Sequence, residues 1–197
     1  MQTDKTIRAF IAIELSDQVK EGLRNLQARI KSSNSALAKW VDPNSIHLTL
    51  KFLGETRLDC LPSIVSTLEN LANIFHPFSL SVTELGAFPD LQRVQVIWVG
   101  LTGDMNVLIR LQQDVEKTIS PIGFPTEKRG FTPHLTLARI RDTSSLQDRQ
   151  KLGILIKRTS IESPLNLTVA SINLIQSHLT PNGAVYTNLH SAKLNQS

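Results

Sequence analysis

The tetrapeptide His-Leu-Thr-Leu occurs twice in this 197-residue chain, at 47–50 and, identically, at 134–137. A shuffled chain of the same composition would hold about 0.008 such tetrads, so the repeat suggests internal duplication or pseudo-symmetry. In an extended strand, residues i and i+2 share a face about 6.6–6.8 Å apart. His47 and Thr49 therefore point one way, while Ile46, Leu48 and Leu50 point the other way into a core. His134 and Thr136 repeat the pattern against Leu135 and Leu137. Two such strands lining one cleft would bring two imidazoles and two hydroxyls together. Metal-free phosphodiester hydrolysis needs a base for water and an acid for the departing alkoxide, and two histidines supply both. Threonine hydroxyls can donate hydrogen bonds to phosphate oxygens as charge develops on them. A pair of histidines also suits zinc, but a zinc site wants three or four ligands, and no Cys or acidic residue shares the repeat. A further possibility is that Thr simply favours strands and each His sits on a half-buried face.

The elements that position these residues can be read from periodicity. Residues 7–14 are apolar and β-branched, which predicts a buried strand. Ser16 caps a predicted helix carrying Val19, Leu23, Leu26 and Ile30, closed by the polar run Ser32–Ser35. Strands are predicted over 45–53, 78–85, 93–101, 131–139, 165–175 and 185–193, and helices over 58–75, 104–119 and 145–157. Pro62 suits a first helical turn, and Thr180-Pro181-Asn182-Gly183 is turn chemistry. Strands interspersed with helices and hairpin-like pairs predict an α+β fold with antiparallel sheet.

Composition excludes several classes. Hydrophobic residues make up 41% and charged residues 19%, enough to bury a core and too few charges for charge-driven disorder. The longest apolar runs, Phe10–Ile13 and Val96–Val99, are far too short to cross a bilayer. Asp4, Lys5 and Arg8 interrupt any leader-like segment, and the single Cys60 excludes an internal disulfide, so a cytoplasmic protein is expected. The net charge of +4 comes from the second half, where residues 101–197 hold 11 basic and 7 acidic side chains. Eight basic residues against two acidic ones lie between Lys128 and Arg158, a field suited to phosphates or nucleic acid.

The tetrads and their flanks resemble a known family. They match the paired His-x-Thr-x signature of the two-histidine phosphoesterase superfamily. Arg8–Ile13, Trp40-Val41-Asp42-Pro43, the run HLTLKFLG at 47–54, Phe131 through Arg139 and the stretch SHLTPNGAVY at 177–186 narrow the likeness. Together they resemble the bacterial and archaeal RNA 2′,3′-cyclic phosphodiesterases, also called 2′-5′ RNA ligases, over essentially the whole chain. The resemblance implies a single bilobal, LigT-like domain over 1–197, with two antiparallel sheets backed by helices around a central cleft. It implies hydrolysis of a terminal RNA 2′,3′-cyclic phosphate to a 2′-phosphate, with no cofactor and no metal, on tRNA-like or oligonucleotide ends. Nothing in the sequence suggests an obligate interface, so a monomer is expected. On this reading His47 is the general acid and His134 the general base, with Thr49 and Thr136 on the phosphate oxygens. Arg139 becomes a phosphate clamp, although strict alternation puts it opposite His134, so the strand has to end or bulge first.

Other residues divide less cleanly. Lys51 has the parity of His47 and Thr49 and is expected at the cleft rim or exposed on the strand, whereas Phe52 has core parity. Phe10, Trp40 and Phe131 fall near the expected cleft, where core packing competes with base stacking. His178 begins a partial third copy that Pro181 interrupts, His76 sits at a helix end, and His190 falls in the last strand. None of the three belongs to the expected catalytic set. Alternatives to hydrolysis are 2′-5′ ligation, action on a small cyclic nucleotide, or RNA-end binding without turnover.

Overall fold

The computed structural model describes residues 5–34, 37–180 and 183–196. Among these residues, nine strands and four α-helices follow one another as β1 (Thr6–Glu14), α1 (Asp17–Asn34), β2 (Ala38–Trp40), β3 (His47–Arg57), α2 (Leu61–Ala72), β4 (Phe78–Phe88), β5 (Val96–Gly103), α3 (Met105–Ile119), β6 (His134–Ile140), α4 (Leu146–Arg158), β7 (Leu165–Val169), β8 (Ser171–Thr180) and β9 (Gly183–Lys193). One sheet has the order β3-β1-β8-β9 and the other β2-β6-β5-β4-β7, with every pairing antiparallel. This is the α+β architecture expected, and each tetrad opens a strand of a different sheet.

Local chemistry explains most boundaries. The Ser16 hydroxyl accepts from the Val19 amide at 3.4 Å and starts α1. Val19, Leu23, Leu26 and Ile30 are all buried, each contributing about 1.5–3 kcal/mol of apolar burial. The helix runs past Ser32 to Asn34, so the polar run does not end it, and Ser35 lies outside the described residues. A 3-10 turn at Leu58–Cys60 precedes α2, which places Pro62 in its first turn. The β-run predicted over 165–175 is two strands in different sheets, separated by Ala170 alone. A single residue between them suffices to redirect the chain from one sheet to the other. Thr180 pairs with Gly183 across the predicted turn, whose Pro181 and Asn182 lie outside the described residues. The short β2 was not predicted, since three residues carry no readable period.

Two β-bulges decide what faces the cleft. In β3, Ala12 pairs with Thr49 and Ile11 with Lys51, which leaves Leu50 as an extra residue. In β6, Trp98 pairs with Thr136 and Ile97 with Ala138, so Leu137 is extra in the same way. Each bulge falls on the last leucine of a tetrad and inverts the alternation beyond it. A helix glutamine donates to each bulged carbonyl. Gln27 Nε2 of α1 reaches Leu137 O at 3.0 Å, and Gln112 Nε2 of α3 reaches Leu50 O at 3.4 Å.

Candidate active site

Inversion at the first bulge overturns two expectations. Lys51 turns inward, only 2% exposed, and its Nζ donates to Glu116 Oε2 at 2.6 Å and to Pro125 O at 2.8 Å. It is neither a rim lysine nor a free surface one. Phe52 turns outward instead and is 65% exposed beside the cleft. The second bulge gives the result the sequence required, because Arg139 moves to the face of His134 and Thr136 and is exposed.

A cavity of about 390 Å³ joins the two sheets at this point. β3 lines it with His47, Thr49, Phe52 and Gly54, and β6 with His134, Thr136 and Arg139. Arg8, Ala9 and Phe10 of β1, Ser177 of β8 and Tyr186 of β9 complete the wall with Val41, Ser45 and Ile46. All five residues singled out for catalysis and phosphate binding therefore converge on one space.

The two imidazoles are held alike. His47 Nδ1 lies 2.9 Å from Ser45 O, and His134 Nδ1 lies 2.7 Å from Thr132 O. A carbonyl only accepts, so each Nδ1 carries a hydrogen and each Nε2 is left for a molecule in the cavity. In the neutral ring that Nε2 is a base, and in the charged ring it is an acid. Their surroundings differ. His47 stacks on Phe10 with centroids 4.5 Å apart, and Tyr186 meets its ring edge-on at 5.0 Å. Burial among these rings lowers the His47 pKa from 6.5 to about 4, against a smaller opposing effect of the Ser45 hydrogen bond. His134 has one aromatic neighbour, Phe88, edge-on at 5.0 Å. Burial raises the Tyr186 pKa while the nearby Arg139 charge opposes this, so Tyr186 remains a neutral phenol at physiological pH.

The remaining candidates separate clearly. Phe10 is 4% exposed and packs on the His47 imidazole, combining core packing with a wall position. Trp40 and Phe131 pack against the main core and do not line this cavity. His76 Nδ1 lies 3.1 Å from Asn195 O, and His190 Nε2 lies 2.6 Å from Glu69 Oε1. His178 sits on β8 next to Ser177, on the opposite face from the cavity. Arg8, Ser177, Tyr186 and Phe88 join the surroundings without having been singled out. Arg8, Ser177 and Tyr186 lie inside the motif stretches quoted above, while Phe88 had no readable signal. Among the described residues no three His, Cys, Asp or Glu side chains converge as a metal site, and no helix is long and apolar enough to cross a membrane.

Comparison with known proteins agrees with this arrangement. Residues 13–98 and 100–186 match the family described as LigT like Phosphoesterase, and each segment holds one tetrad. A protein of Aeropyrum pernix named RNA 2′,3′-cyclic phosphodiesterase is 38% identical over 79% of this chain and 85% of its own length. One of the same name from Methanothermobacter thermautotrophicus is 29% identical over 95% of this chain and 99% of its own. The crystal structure of TT0787 of Thermus thermophilus superposes with a TM-score of 0.77 at 26% identity, covering 95% of this chain and 98% of that one. With two tetrads, two bulges and one shared cavity in place, the match over both halves establishes that the chain belongs to the LigT-like phosphoesterase family.

Proposed function

We propose that this protein is an enzyme that hydrolyses the 2′,3′-cyclic phosphate at an RNA 3′ end to a 2′-phosphate, using two histidines and no metal. The observation that carries this reading is the convergence of His47, Thr49, His134, Thr136 and Arg139 on one cavity, with both Nδ1 atoms anchored to carbonyls. The names of the relatives support the substrate class.

Thr49, Thr136 and Arg139 hold the non-bridging phosphate oxygens, and their hydrogen bonds strengthen as negative charge builds on those oxygens. His134 Nε2 takes a proton from water as its oxygen bonds to phosphorus. His47 Nε2 gives a proton to O3′ as the P–O3′ bond breaks. Hydrolysis is then balanced, with His134 charged, His47 neutral, and a 2′-phosphate and a free 3′ hydroxyl as products. Burial makes the His47 imidazolium a strong acid, which favours proton delivery to an alkoxide, and the bound phosphate anion offsets the cost of charging it beforehand. Microscopic reversibility exchanges the two roles in the ligation direction. The bulge and glutamine after each tetrad, and the two matched segments, support one bilobal domain with internal pseudo-symmetry.

The test is turnover of a short RNA with a 2′,3′-cyclic end in excess EDTA. Wild type should remain active, and His47→Ala and His134→Ala should each lose at least about 10²-fold in kcat with unchanged circular dichroism. Retained turnover in either variant removes that residue from its role. Loss of wild-type activity that zinc or manganese restores overturns the metal-free chemistry.

A further inference from the structure

Two cations line the cavity, and their cross-strand partners are opposite in kind. Arg8 on β1 directly faces Glu55 on β3, with Nε and Oε1 3.8 Å apart. Arg139 on β6 directly faces Lys39 on β2. Residues directly opposite in an antiparallel pair project to the same side. The flanking pair Ala38 and Ile140 is buried, so Lys39 and Arg139 share the outer face, where both are exposed. Like charges in this relation destabilise a sheet. Arg141 extends the row, since its amide donates to Leu37 O at 2.9 Å one step beyond the strand and its side chain is exposed. It lies two residues from Arg139, hence on the same face. Among the described residues none of the three has a carboxylate within ion-pair distance.

A row of uncompensated cations that begins in the reaction cavity and ends at a sheet edge, β2 being the outermost strand, is complementary to a polyanion. We propose that RNA leaves the cleft across the β2–β6 edge, where Lys39 and Arg141 hold backbone phosphates 5′ of the cyclic end. The inference rests on the function proposed above and makes this edge the element that prefers an oligonucleotide to a mononucleotide. Lys39 and Arg141 do not line the cavity, whereas a mononucleotide 2′,3′-cyclic phosphate carries its only phosphate there, so on this proposal it is indifferent to both.

The experiment compares wild type, Lys39→Ala and Arg141→Ala on two substrates, a pentanucleotide and a mononucleotide, both ending in 2′,3′-cyclic phosphate. Each variant should lose about three- to tenfold in kcat/KM on the pentanucleotide and stay within about twofold on the mononucleotide. The slope of log kcat/KM against log salt on the pentanucleotide should flatten by about 0.7 per contact removed. Fluorescence anisotropy with a pentanucleotide ending in 2′-phosphate provides a reading that needs no turnover. Equal effects on both substrates, or none on either with an unchanged salt slope, overturn the proposal. If wild type turns over neither substrate yet binds the pentanucleotide in a Lys39- and salt-dependent way, the catalytic reading falls and the RNA track stands. Removing Lys39 should leave thermal stability unchanged or slightly raised, because it relieves a like-charge pair.

Discussion

His47 should make the protein acid-sensitive in a way that one substitution removes. Its folded pKa of about 4 lies below the ordinary 6.5, so between these values the unfolded chain binds a proton that the native ring refuses. Stability therefore falls as pH drops through this window, and this group contributes no pH dependence above or below it. The gap of about 2.5 units at 1.36 kcal/mol each corresponds to about 3 kcal/mol between pH 7 and pH 4. His47→Asn removes the titration while its amide can still donate to Ser45 O. Urea unfolding of both proteins at pH 7, 5.5 and 4 should show wild type losing about 3 kcal/mol more than the variant over the interval. Other titrating groups are common to both and cancel. Following the His47 ring by NMR should give a midpoint near 4 in the free protein. A midpoint near 6.5 with parallel stability curves would refute the claim that Phe10 and Tyr186 keep the imidazolium from water.

Other perturbations test the scaffold. Lys51→Met leaves the Glu116 carboxylate buried without its cation, since the two side chains are only 1% and 11% exposed. It should cost about 3–5 kcal/mol in denaturant unfolding, with Glu116→Leu in the same chain recovering most of it. A loss under about 1 kcal/mol would mean that the pair is hydrated. Gly153→Ala gains about 1 kcal/mol of helix propensity, but its new Cβ would sit 1.7 Å from Leu91 O. The backbone clash should win, giving a net loss of about 1–3 kcal/mol and a lower Tm, whereas a stabilised variant would contradict the close packing of α4 on Leu91, in the connection between β4 and β5.

How far the site was legible depended on whether alternation held. His47, Thr49, His134 and Thr136 were readable because each tetrad is regular up to its final leucine. Beyond that leucine, alternation misplaced Lys51 and Phe52 together, since one extra residue exchanges the faces of the residues after it, here until a second register shift past Phe52. Arg139 was placed correctly only because a cleft role demanded a bulge, and an identical tetrad in β3 carries an identical bulge. The repeat thus held the information for Phe52 as well. Helices with clear apolar stripes were legible, as α1 and α3 show. The split of 165–175 was not, because apolar residues recur through both β7 and β8 and only tertiary pairing distinguishes their sheets. The ring partners of the imidazoles had the same limitation, as nothing local tells Phe88 that His134 lies across the sheet.

The most direct test of the central claim is the identity of the phosphate left on the RNA. A short oligonucleotide with a 2′,3′-cyclic end, incubated with the protein in EDTA and followed by phosphorus NMR, should convert entirely to the 2′-phosphate. The double variant His47→Ala/His134→Ala should leave the cyclic resonance unchanged. A 3′-phosphate product would mean that the 2′ oxygen departs and would contradict the assignment of His47 to O3′. Conversion by the double variant would contradict the two-histidine account altogether.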